Sequence, residues 1–185
     1  MSSPLVCPSQ ELPPLIKCQL LAYLRMEWPA LFAGERRFQD FTVKETHPLS
    51  FYLAEQEVLI SHTEVNWRYL EHHREIYKVY GLSAVFTYPP FRREGHGRRV
   101  VEAATAYIQA SDADVAMLFC APERQNFYRS CGWTPLPGAQ VFYGSQAQPR
   151  LSREDVLLML FVSAKGQQAG QAFERQPIYV GARLW

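Results

Sequence analysis

Apolar residues recur at helical spacing near the start of the chain and at strand-like spacing further along. Between Leu12 and Phe32 they recur every three or four residues, which predicts a long amphipathic helix after a Pro-containing tail. Pro13 and Pro14 fit only in its first turn, and Trp28-Pro29 predicts a bend. Three extended stretches rich in β-branched and aromatic residues then predict an antiparallel meander. These stretches are Ser50 to Glu55, Val58 to Tyr69 and Ile76 to Thr87, with polar turns such as Glu71-His72-His73-Arg74 between them.

The second half of the chain alternates helical and strand patterns. A helix is predicted from Gly97 to Gln109, and a short helix from about Glu123 to a C-cap at Gly132. The side of the first helix that packs on the sheet carries Val100, Val101, Ala104, Tyr107 and Ile108. The predicted strands are Val115 to Cys120, Val141 to Tyr143, Val156 to Val162 and Ile178 to Val180, with a loop from Gly166 to Gly170. The pattern predicts one α/β (α+β) domain over residues 1–185, with a central mixed sheet.

Composition and charge narrow the range of partners. The 185 residues carry 19 Lys and Arg against 18 Asp and Glu. The net charge of the protein therefore does not favour binding to nucleic acid or to an anionic membrane. The apolar run 156–162 is far shorter than the ~20 residues of a membrane span. The four cysteines form no Cys-x-x-Cys pair, and the N-terminus lacks a secretory pattern, so we expect a cytoplasmic protein. The five histidines are scattered, and we expect no metal site.

The segment 85–99, Val-Phe-Thr-Tyr-Pro-Pro-Phe-Arg-Arg-Glu-Gly-His-Gly-Arg-Arg, carries the strongest chemical signal. An apolar strand ends there in a glycine-broken, arginine-rich turn that passes directly into a helix. Glycine allows the backbone to approach an anion closely, and the first N–H groups of a helix point at it. The segment therefore indicates a phosphate-binding turn. The alternative is a turn whose glycines only permit the bend and whose arginines are solvated.

Two motifs in a fixed order favour the first interpretation. The turn reads Arg92-Arg93-Glu94-Gly95-His96-Gly97, and one helix and one strand later the chain reads Phe127-Tyr128-Arg129-Ser130-Cys131-Gly132-Trp133. Together they resemble the signatures of the GNAT N-acetyltransferase superfamily, with motif support over about 51–133. Within it the chain looks closest to the branch of the aminoglycoside 2'-N-acetyltransferases. The resemblance implies a single domain with a mixed, mostly antiparallel sheet flanked by helices, and acetyl-CoA as the cofactor.

The resemblance also assigns cofactor-binding residues. In this superfamily the strand before the glycine turn splays from the next parallel strand, and the backbone of Val85 and Thr87 would accompany the thioester arm. The pyrophosphate would lie on the backbone N–H groups of Arg93, Gly95, His96, Gly97 and Arg98. The side chains of Arg92, Arg93 or Arg98 would add charge-assisted bonds.

Tyr128 occupies the position where superfamily members often place a general acid for the departing thiolate. It can equally be an aromatic residue that packs the short helix. Cys120 and Cys131 lie near it in the sequence and could in principle accept the acetyl group first, although small buried hydrophobes are the simpler interpretation. The C-terminal carboxylate of Trp185 could meet a cationic acceptor or fray into solvent.

The general base is not identified by the sequence. Ser83 stands where the aminoglycoside-modifying branch often has a carboxylate. Glu64, Glu71, His72 and His73 are candidates, and each can instead be a solvated polar residue.

We therefore expect direct transfer of an acetyl group to a small-molecule amine within a ternary complex, by an enzyme that could form a homodimer. The alternative is a coenzyme A-binding module without turnover. That alternative is favoured by Ser83 and by Ala121, which stands near the position of an asparagine in many relatives.

Overall fold

The computed structural model describes residues 3–34, 46–153 and 155–182. Its helices are α1 (Pro14–Glu27), α2 (His96–Gln109), α3 (Gln125–Arg129), α4 (Ala164–Gln168) and α5 (Gly170–Arg175). Its strands are β1 (Leu5–Pro8), β2 (Leu49–Glu55), β3 (Val58–His72), β4 (Glu75–Thr87), β5 (Val115–Cys120), β6 (Thr134–Pro135), β7 (Val141–Ser145), β8 (Gln148–Leu151), β9 (Val156–Phe161) and β10 (Ile178–Tyr179).

The strands form two sheets. The order is β1-β2-β3-β4-β5-β9-β6 in a seven-stranded sheet and β10-β7-β8 in a three-stranded one. Within the large sheet β4 and β5 are parallel, whereas β1 with β2, β2 with β3, β5 with β9 and β6 with β9 are antiparallel. The predicted α/β class with a mixed, mostly antiparallel sheet is therefore confirmed.

The chain divides into two compact units, and we describe each by itself. The first comprises Met1–Asn66 and Ala84–Ala104. Its apolar core is formed where one side of α1 meets the sheet. The core side chains of α1 and its flanking turns are Leu12, Ile16, Leu20, Tyr23, Leu24 and Phe32, and those of the strands are Tyr52, Leu59 and Phe86. The ring of Tyr23 stacks on that of Phe86 at 4.0 Å between centroids.

The second unit comprises Trp67–Ser83 and Thr105–Trp185. Its core combines apolar side chains from β3, β4, β5 and β9 with the small sheet and α5. These side chains include Leu70, Val79, Val115, Met117, Leu157, Met159, Phe173 and Ile178. The prediction of one domain over 1–185 stays a prediction.

Several predicted elements occur where the pattern placed them. The strand at Val115–Cys120 has the predicted bounds, and the helix after the glycine turn begins one residue early, at His96. Val100, Val101, Ala104 and Ile108 are buried as predicted, but Tyr107 is 38% exposed. Gly132 ends the short helical segment with φ of 93°, and the N–H of Trp133 donates to the carbonyl of Tyr128. The predicted C-cap is thus present.

Four predictions about elements were wrong. The long helix begins at Pro14 and ends at Glu27, because the proline pair opens it and Pro29 starts a separate 3-10 turn. The supposed tail contains edge strand β1, whose four residues are too few for a clear alternation. β3 extends through His72, so the turn is formed by His73 and Arg74, both with positive φ.

The predicted loop from Gly166 to Gly170 was also wrong, because it contains the end of α4 and the start of α5. A Cβ at Gly166 would collide with the carbonyl oxygen of Asp114, so this glycine serves close helix packing rather than a loop. Ser163 caps α4 by accepting a hydrogen bond from the N–H of Gly166 at 3.0 Å.

Candidate active site

The glycine turn of the first unit changes backbone direction between β4 and α2. A 3-10 turn at Pro89–Phe91 follows β4, and α2 begins at His96. Between them Arg93 and Gly95 have φ of 69° and 80°. A left-handed non-glycine residue costs on the order of 1–3 kcal/mol, so neighbouring contacts must hold Arg93 in this conformation. Apart from Gly95 and its two chain neighbours, no described atom lies within 4 Å of where a Cβ on Gly95 would be, so the turn is open on that side.

Arg92 fixes this turn to two other elements. Its Nε donates to the carbonyl of Thr87 at 2.9 Å, and its guanidinium donates to the hydroxyl of Tyr23 at 2.7 Å. A guanidinium carries five N–H donors, so these two bonds do not exhaust it. Arg93 is exposed, and Arg98 lies 3.7 Å from Glu102 one turn further along α2. Contacts of these three side chains with a phosphate stay predictions.

His96 contributes an observation that sequence reasoning missed. Its Nε2 lies 3.1 Å from a carboxylate oxygen of Glu94. Its Nδ1 is buried and has no hydrogen-bond partner among the described residues. A buried polar atom without a partner is costly unless a ligand or water satisfies it. Because Nε2 must carry a hydrogen to bond the Glu94 carboxylate, Nδ1 can donate to a ligand only when both ring nitrogens are protonated. The open side of Gly95 and the N–H groups at the start of α2 are what fit an anionic group such as a pyrophosphate.

The end of β4 carries the two residues predicted to accompany a thioester arm. The pairing of β4 with β5 covers only Val79, Tyr80 and Gly81 on the β4 side. Ala84 then takes a left-handed conformation with φ of 50°, a kink of the kind found at β-bulges. Val85 and Thr87 follow this kink, and both are partly exposed. Ser61 on β3 lies 3.0 Å from the hydroxyl of Thr87.

Tyr128 lies in the second unit, on α3, and is 6% exposed. Burial, reinforced by Cys120, raises the pKa of its hydroxyl well above the ordinary range, so the proton is retained at neutral pH. The pKa of the Cys120 thiol is likewise raised, to about 11, chiefly by burial. Both Cys120 and Cys131 are buried, which confirms the interpretation of small hydrophobes.

The four candidate bases differ in their surroundings. Glu71 and His73 are exposed, as solvated polar residues would be. That alternative was wrong for His72, which is buried and stacks on Phe173 at 4.3 Å between centroids. Burial lowers the pKa of His72. Glu64 is also buried, at 5% exposure, so it too is not a solvated surface group. The Trp185 carboxylate lies outside the described residues.

Glu64 belongs to a buried hydrogen-bonded chain in the first unit. One carboxyl oxygen lies 3.1 Å from the hydroxyl of Ser9, which lies 2.8 Å from that of Ser50. The Ser50 hydroxyl lies 3.1 Å from Nε2 of His62, and His62 Nδ1 lies 3.1 Å from the carbonyl of Ala84. We call Glu64, Ser9, Ser50 and His62 the polar chain. None of its members is more than 5% exposed.

Burial acts on the two titratable members in opposite directions. It raises the pKa of Glu64 to about 7 and lowers that of His62 to about 4. Both groups therefore favour their neutral forms near pH 6. Sequence reasoning named Glu64 and missed the other three members. The available signal was a pair of polar residues two apart, His62 and Glu64, which the alternation of a strand places on one face of β3.

Within 3–34, 46–153 and 155–182, no three His, Cys, Asp or Glu side chains are grouped so that they could hold a metal ion. No helix in the described part of the chain is long and apolar enough to cross a membrane.

Comparison with known proteins identifies the family. The model of the GNAT acetyltransferase domain matches residues 9–136. No curated protein sequence gives a significant match to the chain.

Several solved structures share its fold. Escherichia coli ElaA is 16% identical with a TM-score of 0.56, covering 85% of this chain and 99% of its own. An aminoglycoside 6'-N-acetyltransferase complexed with coenzyme A is 11% identical with a TM-score of 0.60, covering 86% and 97%. Chaetomium thermophilum Naa20, in complex with a bisubstrate analogue, is 19% identical with a TM-score of 0.54, covering 97% of each chain. The chain belongs to the GNAT family of acetyltransferases, enzymes that use acetyl-CoA.

Proposed function

We propose that this enzyme transfers the acetyl group of acetyl-CoA directly to a small-molecule amine within a ternary complex. The observation that carries the cofactor site is the glycine turn, where Gly95, with φ of 80° and open space on its Cβ side, directly precedes the first N–H groups of α2. Backbone N–H groups of Arg93, Gly95, His96, Gly97 and Arg98 bind the pyrophosphate in this proposal. The Arg92 side chain holds the turn in place and Arg93 or Arg98 adds charge.

The proposed chemistry needs a proton donor and no protein nucleophile. When bound, acetyl-CoA supplies a thioester whose acetyl carbon an amine can attack with loss of the CoA thiolate. Tyr128 holds a proton at its hydroxyl for that thiolate, since burial keeps the phenol neutral. Cys120 is a poor competing nucleophile because its thiol stays protonated. Val85 and Thr87 orient the thioester arm through their backbone groups.

We propose a small-molecule acceptor and a cytoplasmic setting on two observations. The aminoglycoside 6'-N-acetyltransferase of the same fold acts on a small molecule, and Naa20 was solved with a bisubstrate analogue. Four cysteines without disulfide bonds agree with a cytoplasmic enzyme. A homodimer stays a prediction. A coenzyme A-binding module without turnover is the second candidate, and Ser83 and Ala121 favour it.

Thermal unfolding with and without acetyl-CoA tests the cofactor site. A ligand that binds only the native state at 100 times its Kd raises the midpoint by roughly 5 °C or more for a protein of this size. Gly97→Asp places a carboxylate in the first turn of α2 and should abolish the shift. Ala106→Asp adds the same charge to an exposed position of the same helix and should keep it. No shift in the wild type at saturating acetyl-CoA would contradict both candidates.

Turnover separates the two candidates. Release of CoA is measured while a panel of amines of different size and charge is offered, including short peptides with a free N-terminus. An enzyme acetylates at least one small amine and loses that activity in Tyr128→Phe. A binding module shows the midpoint shift without acetylating any amine, and a preference for the peptides would overturn the small-molecule acceptor.

A further inference from the structure

The polar chain ends on the peptide group that leads into the predicted thioester-binding backbone. Its last member, His62, bonds the carbonyl of Ala84, and the N–H on the other side of that peptide belongs to Val85. A peptide group is planar, so fixing the carbonyl also fixes the direction of the N–H. Ala84 is left-handed with φ of 50°, a conformation that persists in a non-glycine residue only when neighbouring contacts hold it.

The direction of each hydrogen bond in the polar chain follows from the Ala84 carbonyl at its last position. The Ala84 carbonyl can only accept, so His62 Nδ1 must donate to it. When His62 is neutral, its Nε2 must then accept a proton from Ser50. Ser50 has one proton, so the bond between the two serines requires Ser9 as the donor.

Glu64 stands at the other end of the polar chain, where its bond with Ser9 depends on the directions just given. Ser9 has given its only proton to Ser50, so the contact with the carboxyl group at 3.1 Å is a hydrogen bond only if Glu64 donates. All four bonds are therefore made at once when Glu64 is a neutral acid. The mirror arrangement, with a carboxylate at Glu64 and an imidazolium at His62, holds the same number of protons and also makes all four bonds. When one proton is removed from the pair, Ser9 donates to the Glu64 carboxylate and Ser50 donates to His62, so the contact between Ser9 and Ser50 is left without a hydrogen.

We propose that the polar chain positions the Val85 N–H through the Ala84 carbonyl, and that it does so fully only while it carries its shared proton. This inference rests on the proposed function for the role of Val85, whose N–H would donate to the acetyl carbonyl of bound acetyl-CoA. The members of the chain are positioning residues, because they act on the cofactor through the backbone of β4.

Neighbouring titratable groups do not supply this proton. Cys7 and Tyr52 share the face of the sheet that carries the chain, and Tyr23 approaches from α1 through its stack on Phe86. Burial raises the pKa of all three, so they stay neutral near pH 7. Glu11, beside Cys7, is exposed. Asn66 donates a hydrogen bond to Glu64 and has no proton to lose in this range.

Nuclear magnetic resonance on the protein without ligand tests the connection directly. The Val85 amide shifts, the His62 ring nitrogens and the Glu64 carboxyl carbon are followed from pH 5 to pH 8.5. In the wild type the Val85 amide should titrate with the same midpoint as Glu64, with His62 protonated at Nδ1. In Ser50→Ala the Glu64 carbon should still titrate and the Val85 amide should not follow it. In Glu64→Gln, whose amide can donate to Ser9 at any pH, the Val85 amide should stay constant.

Binding of acetyl-CoA and of CoA, measured by calorimetry, tests the consequence. A net hydrogen bond to the acetyl carbonyl should make wild type prefer acetyl-CoA by roughly 2- to 10-fold. Ser50→Ala should lose this preference and keep its affinity for CoA, which has no acetyl group. Thr105→Val breaks a different buried hydrogen bond, to the Trp133 indole, and should keep the preference.

Two outcomes would overturn the inference. One is a Val85 amide that does not titrate in wild type, or titrates equally in Ser50→Ala. The other is an unchanged acetyl-CoA preference in a folded Ser50→Ala protein. If Ser50→Ala does not fold, Glu64→Gln decides by the same two measurements. This variant should remove the pH dependence of the Val85 amide shift and of the preference for acetyl-CoA over CoA. Failure of the wild type to bind either ligand would contradict the proposed function, whereas the amide titration would still decide whether the chain controls Val85.

Discussion

Glu64 in the first unit and Tyr128 in the second both retain a proton because they are buried, but their surroundings differ. Glu64 stands at one end of the polar chain, whose hydrogen bonds continue to the backbone of β4. Tyr128 has the thiols of Cys120 and Cys131 and the ring of Phe127 near it, and the Arg124 cation only partly offsets the effect of burial on its pKa. Burial alone therefore does not decide what a retained proton can do.

The difference lies in where each proton can have an effect. A proton on Glu64 allows all four hydrogen bonds of the polar chain to form at once, so its loss removes a bond elsewhere in the chain. A proton on Tyr128 belongs to one oxygen, and its loss would leave a phenolate in apolar surroundings, which the raised pKa opposes. The first arrangement suits control of geometry. In the second, the Tyr128 hydroxyl stays neutral only if the proton that it gives to the CoA thiolate is replaced by the one that the amine nitrogen loses in the proposed reaction.

Tyr128→Phe should give the largest effect. Removal of a general acid typically costs about 10²- to 10³-fold in kcat, and the ring still fills its buried position, so the thermal midpoint should change little. The measurement is kcat with an amine identified in the acceptor screen. Tyr107→Phe removes a hydroxyl from a partly exposed tyrosine and serves as the control. A kcat for Tyr128→Phe within twofold of the wild type would contradict the role of Tyr128 as the proton donor.

Glu64→Gln should change the pH dependence of stability by about 3 kcal/mol between pH 4.5 and pH 7. The pKa of Glu64 is raised in the folded state from 4.5 to about 7, so in this range the folded state binds more protons than the unfolded state. Its contribution to the free energy of unfolding therefore falls as pH rises. The variant lacks this decline, so its free energy of unfolding should rise relative to that of the wild type as pH increases from 4.5 to 7.

His62 makes the wild-type profile informative as well. Its pKa is lowered from 6.5 to about 4, so between these values the unfolded state binds more protons and stability rises with pH. From about pH 4.5 to 6.5 the two slopes cancel, because the pair holds one proton in either state. Urea unfolding at several pH values measures this, with Glu55→Gln as a control for loss of one exposed charge. Parallel profiles for Glu64→Gln and wild type would show that Glu64 is not a buried acid.

The glycine turn could be predicted from the sequence and the polar chain could not, for a physical reason. The glycine turn is local, since Arg92 to Gly97 are consecutive and their order alone indicates a strand-to-helix anion site. The polar chain joins Ser9, Ser50 and Glu64, which are separated by 41 and 14 positions and meet only through strand register. A serine is so common in turns and strands that its spacing carries no signal. Only the alternation of His62 and Glu64 on β3 pointed to this face.

The same distinction explains the errors in the fold. Long periodic segments such as α2 and β5 were predicted because each contains its own pattern. Edge strand β1 is defined by its partner β2, and position 166 of α4 is a glycine because the Asp114 carbonyl leaves no room for a Cβ. In both cases the deciding contact comes from another part of the chain, so residue type alone was misleading.

Alkylation of cysteines tests whether the buried Cys120 thiol of the second unit is unreactive. The pKa of the Cys120 thiol is raised from 9.0 to about 11, so its thiolate fraction near pH 8 should be roughly 100-fold lower than that of an ordinary thiol. Iodoacetamide followed by mass spectrometry should therefore modify exposed Cys18 long before Cys120. Saturating acetyl-CoA should leave this order unchanged. Rapid modification of Cys120, or an acetyl adduct on it, would contradict direct transfer.

The smallest expected effect comes from a matched pair of tyrosines, one in each unit. Tyr23→Phe removes the acceptor of Arg92, and Tyr80→Phe removes the donor to Asp112. Each variant also loses a second contact of the same hydroxyl, from Tyr23 to Glu27 at 3.5 Å and between Tyr80 and Ser111. Each should therefore lower the free energy of unfolding by a similar amount, on the order of 1 kcal/mol. Only Tyr23→Phe should also reduce the midpoint shift produced by acetyl-CoA, because Arg92 ties the glycine turn to α1. Equal shifts in both variants would mean that the backbone alone holds the turn, and that the polar contacts of the first unit serve stability without serving the cofactor.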